Sequence, residues 1–337
     1  MSNRHWMWIF GDSYAGFHHR ERQWGSLYIE SPSGVWGTHA LFDEMVLNRD
    51  SMCDKERDEE GMMVIPRALT IAGSDSGGGA GLQADLKTFA AFGVYGMSVV
   101  TAVTVQNTRG VYGVVNMDPD VVAKQIRVVV EDLGIDVVKT GMLATAEIIR
   151  RVAELTRAYR FPVLVVDPVM RAKSGDPLLE AEAESAYIKE LIPLATVVTP
   201  NLPEAERLVG FRIRTDAAME RAAERIIEFG CGAVVVKGGH REDLPDAVAD
   251  LYFDGEQMVW LRGPRLPTRH THGTGCTFAS AVAAGLARGW DRLTAVRTAK
   301  AYVEGAIRHA PGLGQGHGPL NHFWSGRIPF EPIRTSD

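Results

Sequence analysis

From residue 67 onward, short apolar runs alternate with longer amphipathic stretches. Ala68-Leu69-Thr70-Ile71-Ala72 stops at Gly73 and predicts a buried strand. Residues 80–92 follow, with Leu82, Leu86, Phe89 and Ala90 on one helical face. The β-branched run 97–105 predicts a second strand. Residues 119–133 predict a helix with proline in its first turn, and 145–158 and 216–229 predict two more. Val137-Val138, Val163-Leu164-Val165-Val166, Val197-Val198 and residues 233–237 read as further short buried strands. After Val248 the pattern changes. The runs 248–253 and 257–261 flank Asp254-Gly255, a hairpin signal. Two helices, 274–288 and 292–309, close the pattern, and the glycine-rich stretch 312–318 reads as a loop. Alternation of buried strands with helices implies βαβ units and a parallel sheet covered on both faces.

Composition narrows the class. The chain has 337 residues, 45 % hydrophobic and 23 % charged, as expected of a folded protein with a large core. No uncharged apolar run approaches the ~20 residues of a membrane span, so no membrane partner is expected. The net charge is −6 with no basic stripe, which argues against a nucleic-acid partner. Cys53, Cys231 and Cys276 form no C-x-x-C pair, build no disulfide framework and fit a reducing cytoplasm.

Charge and tryptophan also mark a boundary. Residues 1–61 hold six Lys/Arg and eleven Asp/Glu, and four of the seven tryptophans: Trp6, Trp8, Trp24 and Trp36. They end in the charge run 54–60, which reads as a solvated linker. The expected organisation is an N-terminal extension 1–61, a folded domain 62–325 and a tail 326–337. The extension is a poorly ordered tail, an ordered addition, or upstream reading frame with Met62 or Met63 as the natural start. Its block 8–14 is similar to the opening of the GDSL-type esterases, but the later Asp-x-x-His that those enzymes need is missing.

In open parallel sheets, ligands bind beyond the carboxyl ends of the strands. This chain sets its polar and glycine residues there: Gly73-Ser74-Asp75, Gln106-Asn107, Gly141, Asp167, Asn201 and Lys237-Gly238-Gly239-His240. Thr271-His272-Gly273-Thr274-Gly275-Cys276 precedes a helix. Glycines there aim backbone N–H groups at one point, and the helix dipole adds positive potential suited to a phosphate or a phosphoryl group in transfer. Cys276 in the same field is expected to have a lowered thiol pKa. The same residues also fit a simple glycine turn with a structural cysteine. The loop 73–81 is rich in glycine but matches neither the G-x-x-x-x-G-K-[ST] nor the G-x-G-x-x-G pattern. It fits either the close approach of a flat ligand or a flexible turn. Asp85, one turn into the next helix, would face the same space or simply favour the helix dipole. Asn201 and Glu204, at i and i+3, fit either a hydrated magnesium site or a helix cap. Lys237 with its glycines suits phosphate neutralisation. His270-x-His272 is spaced like a metal pair but has no third ligand near it in sequence.

In combination these segments resemble a known family. They are residues 68–89, Val105-Gln106-Asn107-Thr108, Lys139-Thr140-Gly141-Met142-Leu143, Asp167-Pro168-Val169-Met170, Lys173-Ser174-Gly175, residues 199–206, Val236–His240 as Val236-Lys237-Gly238-Gly239-His240, and His272-Gly273-Thr274-Gly275-Cys276. From about Arg67 to Trp324 the chain resembles the hydroxymethylpyrimidine/phosphomethylpyrimidine kinases of the ribokinase-like superfamily. The resemblance implies a three-layer α/β/α sandwich with a mostly parallel central sheet, usually a homodimer. It implies ATP and Mg2+ as cofactors and a small pyrimidine as substrate. Two successive phosphoryl transfers would make the monophosphate and then the diphosphate of 4-amino-5-hydroxymethyl-2-methylpyrimidine, for thiamine biosynthesis. By the family pattern Gly73, Asp85, Gln106 and Met142 would contact the pyrimidine. Asp167, Asn201 and Glu204 would organise magnesium and nucleotide phosphates, with Lys237 on the phosphate tail. Gly273, Thr274, Gly275 and Cys276 would form the anion hole. Many sugar kinases of this superfamily carry Asp where this chain has Cys276, so a thiolate base is the corresponding expectation. Related enzymes that share the Gly-Thr-Gly-Cys ending make pyridoxal kinase the alternative. A ligand sensor without catalysis, on the same scaffold, is a third reading.

Overall fold

The computed structural model describes residues 64–170, 182–241 and 243–326. The extension 1–61 with its block 8–14, the Lys173-Ser174-Gly175 motif and residues 327–337 lie outside them.

The strands are β1 (Arg67–Asp75), β2 (Tyr95–Gln106), β3 (Val111–Asn116), β4 (Val137–Thr140), β5 (Leu164–Val166), β6 (Val197–Val198), β7 (Val234–Val236), β8 (Ala247–Phe253) and β9 (Met258–Pro264). They form one sheet in the order β3-β2-β1-β4-β5-β6-β7-β8-β9. In that order the six strands from β2 to β7 run parallel, while β3 at one edge and β8, inside the other edge strand β9, reverse direction. The hairpin at Asp254-Gly255 forms as expected, with the Asp254 carboxylate accepting the N–H groups of Glu256 and Gln257.

The helices are α1 (Gly81–Ala91), α2 (Pro119–Leu133), α3 (Ala146–Tyr159), α4 (Ala183–Ala186), α5 (Leu202–Val209), α6 (Asp216–Ile227), α7 (Thr274–Ala287) and α8 (Arg292–Arg308). Strand alternation divides the core in two. Leu69, Ile71, Val138, Leu164, Val166 and Val198 face α2–α6. Ala68, Val137, Val165, Val197 and Val235 face α1, α7 and α8. Nine consecutive residues of α7, Thr277 to Gly285, are buried, so this helix is wedged between the sheet and α8. Its alanines permit that close approach.

Two elements escape the pattern of the sequence. β3 is mostly exposed, so its valines show no inward–outward alternation. α4 runs on through a π-helical turn, Tyr187–Leu191, that ends in proline-containing 3-10 geometry. That turn buries Tyr187 completely, and its hydroxyl donates to the Gly141 carbonyl at 3.2 Å, bracing the end of β4.

The backbone ladder runs past the strand ends. Gly141 N–H donates to the Ile71 carbonyl, Asp167 to Thr140, Thr199 to Val166 and Lys237 to Pro200. The residues at the carboxyl edge therefore share the rigidity of the sheet.

Behind α7, His322 is buried and its Nε2 lies 3.0 Å from Thr277 Oγ1. Burial, with Lys87 nearby, lowers its pKa from 6.5 to about 4. The folded state resists the protonation that the unfolded chain accepts below pH 6.5. Its contribution to stability is therefore complete above pH 6.5 and lost as pH falls towards 4, a change of about 3 kcal/mol. Urea unfolding at pH 7.5 and pH 4.5 should show that the loss shrinks by this amount in His322→Asn. An unchanged loss would assign the acid sensitivity to other groups.

Candidate active site

The N-terminus of α7 is the centre of the site. Gly273 is its first flanking residue, at φ 81°, a left-handed conformation that a side chain disfavours. A Cβ there would also penetrate the Gly79 carbonyl. The two glycine loops singled out in the sequence thus pack against each other through their backbones. No side chain caps α7. A helix start has no intrahelical acceptors for its first N–H groups, so this end offers donors and positive dipole potential to an anion. Thr274 turns its hydroxyl back to the Thr271 carbonyl at 2.7 Å, which fixes the loop and not a ligand.

Lys237 and Asp167 face that helix end. A Cβ on Gly275 would lie 3.3 Å from Lys237 Nζ and 3.6 Å from Asp167 Oδ2. Lys237 Nζ bonds Asp167 Oδ1 at 2.9 Å, and the same oxygen accepts from Thr199 Oγ1 at 3.0 Å. Burial works against the Lys237 ammonium, but Asp167 and Glu204 more than restore it, so it stays charged. Burial raises the Glu204 carboxyl pKa to about 7, with Lys237 opposing and Asp167 adding. The Asp167 carboxylate and a Glu204 carboxyl group that loses its proton near neutral pH therefore share one lysine.

Asn201 and Glu204 form a complete capping box. Asn201 Oδ1 accepts the Glu204 N–H at 3.0 Å, and Glu204 Oε2 accepts the Asn201 N–H at 2.8 Å. Of the two readings of this pair, the cap is the one formed here. Among the described residues no cluster of three or more His, Cys, Asp and Glu could hold a metal. A magnesium ion needs no such cage, because it keeps several waters and takes one or two carboxylates plus substrate phosphates. Asp167, with a Glu204 carboxyl that a cation would help to ionise, fits that requirement.

The remaining predicted residues divide. Gly73 and Met142 are adjacent: a Cβ on Gly73 would meet Met142 Sδ at 3.0 Å. Met142 packs with Ala102, Ala144 and Val169 in a small cluster apart from the two main cores. Gln106 ends β2 and reaches His272, with Nε2–Nε2 at 3.3 Å. Asp85 does not join them. It is fully buried, both its oxygens lie 2.9 Å from Lys139 Nζ, and it accepts from Thr70 Oγ1 at 2.6 Å and Ser280 Oγ at 2.7 Å. Its acceptor capacity is consumed inside the protein, which corrects the expectation that it faces the ligand. Lys139, equally buried, is the residue the sequence reading gave no role. The signal was there: one lysine within the apolar strand Val137-Val138-Lys139-Thr140. Burial opposes its charge, but Asp85 foremost, with Asp167, holds the ammonium protonated.

The loop 73–81, read as a ligand approach or a flexible turn, has its N–H groups turned inward. Asp75 accepts those of Gly77 at 2.8 Å, Gly79 at 3.0 Å and Ala80 at 2.8 Å. The thiol pKa of the half-buried Cys276 moves opposite to the lowering expected at a helix start. Burial raises its pKa to about 11; Lys139 and the Gly81 N–H oppose the rise, while Asp85 and Asp167 add to it. The helix end alone does not overcome desolvation next to two carboxylates.

The family model described as phosphomethylpyrimidine kinase matches residues 75–321. A hydroxymethylpyrimidine/phosphomethylpyrimidine kinase of Streptomyces coelicolor is 52% identical over 260 residues, covering 77% of this chain and 95% of that protein. A thiamine biosynthesis bifunctional protein of Geobacter sulfurreducens is 51% identical over 255 residues, covering 76% of this chain and 52% of that protein. Among solved structures, the pyridoxal kinase of Staphylococcus aureus in complex with AMP-PCP and pyridoxal superposes with a TM-score of 0.73 at 40% identity, covering 79% of this chain and 96% of that one.

Proposed function

The chain belongs to the phosphomethylpyrimidine kinase family, and from that membership we propose which of its residues carry the reaction. It is a phosphotransferase of thiamine biosynthesis with a ribokinase-like fold. Its substrate is 4-amino-5-hydroxymethyl-2-methylpyrimidine, phosphorylated at the hydroxymethyl oxygen and then again on the resulting monophosphate.

The observation that carries the assignment is the meeting of Lys237, Asp167 and the uncapped start of α7 within 3.3 to 3.6 Å of one point. The N–H groups at Gly275 and Cys276 stabilise charge on the phosphoryl group in transfer, and Lys237 neutralises the phosphate tail. Asp167 and Glu204, beside the cap residue Asn201, would hold a magnesium ion, which would supply charge neutralisation for the nucleotide phosphates. The pyrimidine lies against Gly73, Met142 and Gln106. Gln106 offers a donor and an acceptor in one plane, which suits an aminopyrimidine edge. Cys276 acts through its position in the anion hole and not as a resting thiolate. The Staphylococcus aureus relationship keeps pyridoxal as a second acceptor to be tested. ADP release, measured with hydroxymethylpyrimidine, its monophosphate and pyridoxal offered separately, tests the assignment. Turnover on pyridoxal alone would transfer it to that ring.

The activity resides in residues 62–325. Deleting 1–61 should leave kcat unchanged and the melting temperature within a few degrees. A large loss of either would place the boundary elsewhere. The working form is a homodimer in the cytoplasm. Val103, Val105 and Val115 of β2 and β3 are exposed on one face at the edge of the sheet, an apolar patch that fits a second copy. Light scattering should give twice the chain mass for the wild type and a shift to monomer for Val105→Asp. A monomeric wild type would contradict this arrangement.

A further inference from the structure

The orientation of the Gln106 amide is decided by its neighbours, because its oxygen and nitrogen are alike in shape. Asp75 accepts three backbone N–H groups and is an acceptor towards His272, whose Nε2 lies 2.9 Å from Asp75 Oδ2. Both side chains are buried. The hydrogen of His272 must therefore sit on Nε2, pointing at Asp75. Gln106 Nε2, 3.3 Å from that same nitrogen, would then set donor against donor. The other end of the amide has the same fault. Thr104 Oγ1 has one hydrogen, and both the Ser74 carbonyl at 2.9 Å and Gln106 Oε1 at 3.2 Å would claim it. Turning the amide over removes the donor–donor contact and the double claim on Thr104. The carbonyl then shares the one His272 Nε2 hydrogen with Asp75, as the longer arm of a three-centre bond, and the NH2 group donates to Thr104 Oγ1.

We propose that His272, anchored by Asp75, is a positioning residue that locks the Gln106 amide in this sense and so sets the preference for an aminopyrimidine ring. The proposal rests on the phosphotransfer reading above. A locked amide shows the ligand one lone pair and one N–H in fixed order. An aminopyrimidine edge, with a ring nitrogen beside an N–H donor, matches one order only. A hydroxypyridine such as pyridoxal has no amino group beside its ring nitrogen, and its phenolic oxygen pairs with either order. The backbone around the lock is fixed independently by the glycine-rich stretch 312–318. The Gly318 carbonyl accepts the His272 N–H, and Thr108 accepts N–H groups of Gly316 and His317. Changing the His272 side chain therefore removes the donor and leaves those backbone bonds in place.

Nitrogen-15 NMR of histidine-labelled protein without substrate reads the lock directly. The expected result is a protonated Nε2 and an unprotonated Nδ1 on His272. A proton on Nδ1 in place of Nε2 overturns the proposal. Steady-state kinetics reads the consequence. In His272→Leu, selectivity for hydroxymethylpyrimidine over pyridoxal, as acceptor or competitive inhibitor, should fall roughly tenfold. The change should sit in the KM for the pyrimidine, with the KM for ATP held within roughly twofold. Asp75→Asn should act likewise, and His272→Gln, which keeps a donor, should recover most of the selectivity. Equal losses for both rings and for ATP would mean a structural role only and would also overturn it. If His272→Leu does not fold, the NMR result and His272→Gln decide. If the wild type phosphorylates neither ring, the activity assignment fails, while the NMR result still decides the lock.

Discussion

Gly273→Ala is expected to lower kcat by at least ~10²–10³-fold, the effect of removing a donor from an anion hole. Two independent costs converge at this position. Its φ of 81° disfavours any side chain, and a Cβ would overlap the Gly79 carbonyl. The backbone can escape only by moving the start of α7 away from the loop 73–81, and the N–H groups of Gly275 and Cys276 move with it. A control separates the two costs. Gly289, just beyond the other end of α7, has φ 79° with open space around its Cβ position. Gly289→Ala should therefore lose only about 1 kcal/mol of stability and keep its kcat. Thermal melts and steady-state kinetics on both variants check this. Equal kinetic losses, or none in either, would contradict the placement of the anion hole.

Lys237→Met should lower kcat by ~10²–10³-fold as well, through charge and not shape. It leaves Asp167 and Glu204, both buried, without their shared cation. Removing one partner of a buried charge cluster costs about 3 kcal/mol or more of stability. The incoming nucleotide phosphates would then meet the Asp167 carboxylate without its cation, so KM for ATP should rise. Urea unfolding and initial rates at varied ATP measure both effects. Lys237→Arg should recover only part of the rate. The Lys237 side chain is 14% exposed, and a planar guanidinium does not reproduce a compact ammonium there. A Lys237→Met enzyme within threefold of wild type would remove the lysine from the mechanism.

The legible part of this protein is local. Each buried parallel strand carries its own signature, an apolar run ended by a polar residue or glycine. Gln106, Asp167, Asn201 and Lys237 could thus be placed at strand ends without any tertiary knowledge. The Asn201–Glu204 spacing likewise declared a helix start. What was not legible depends on pairs far apart in the chain. Asp85 was expected at the ligand because its partner Lys139 lies 54 residues away. Nothing near Asp85 announces that Thr70 and Ser280 also enclose it. The inward turn of the loop 73–81 depends on Asp75, whose partner His272 is 197 residues on. Cys276 shows the same limit in its chemistry. The positive helix end is written in the sequence, but the burial and the carboxylates that reverse its effect on the thiol are not. β3 was missed for a different reason. Its valines lie on an open edge, so no core imposes a pattern on them.

The central claim is that one site transfers phosphoryl groups twice to one pyrimidine. The most direct measurement is the stoichiometry of ADP formed per hydroxymethylpyrimidine, with ATP and magnesium in excess, followed by mass analysis of the product. Two ADP per pyrimidine and a diphosphate product are the expected result. One ADP with the monophosphate as end product, or ADP formed only with pyridoxal, would contradict it.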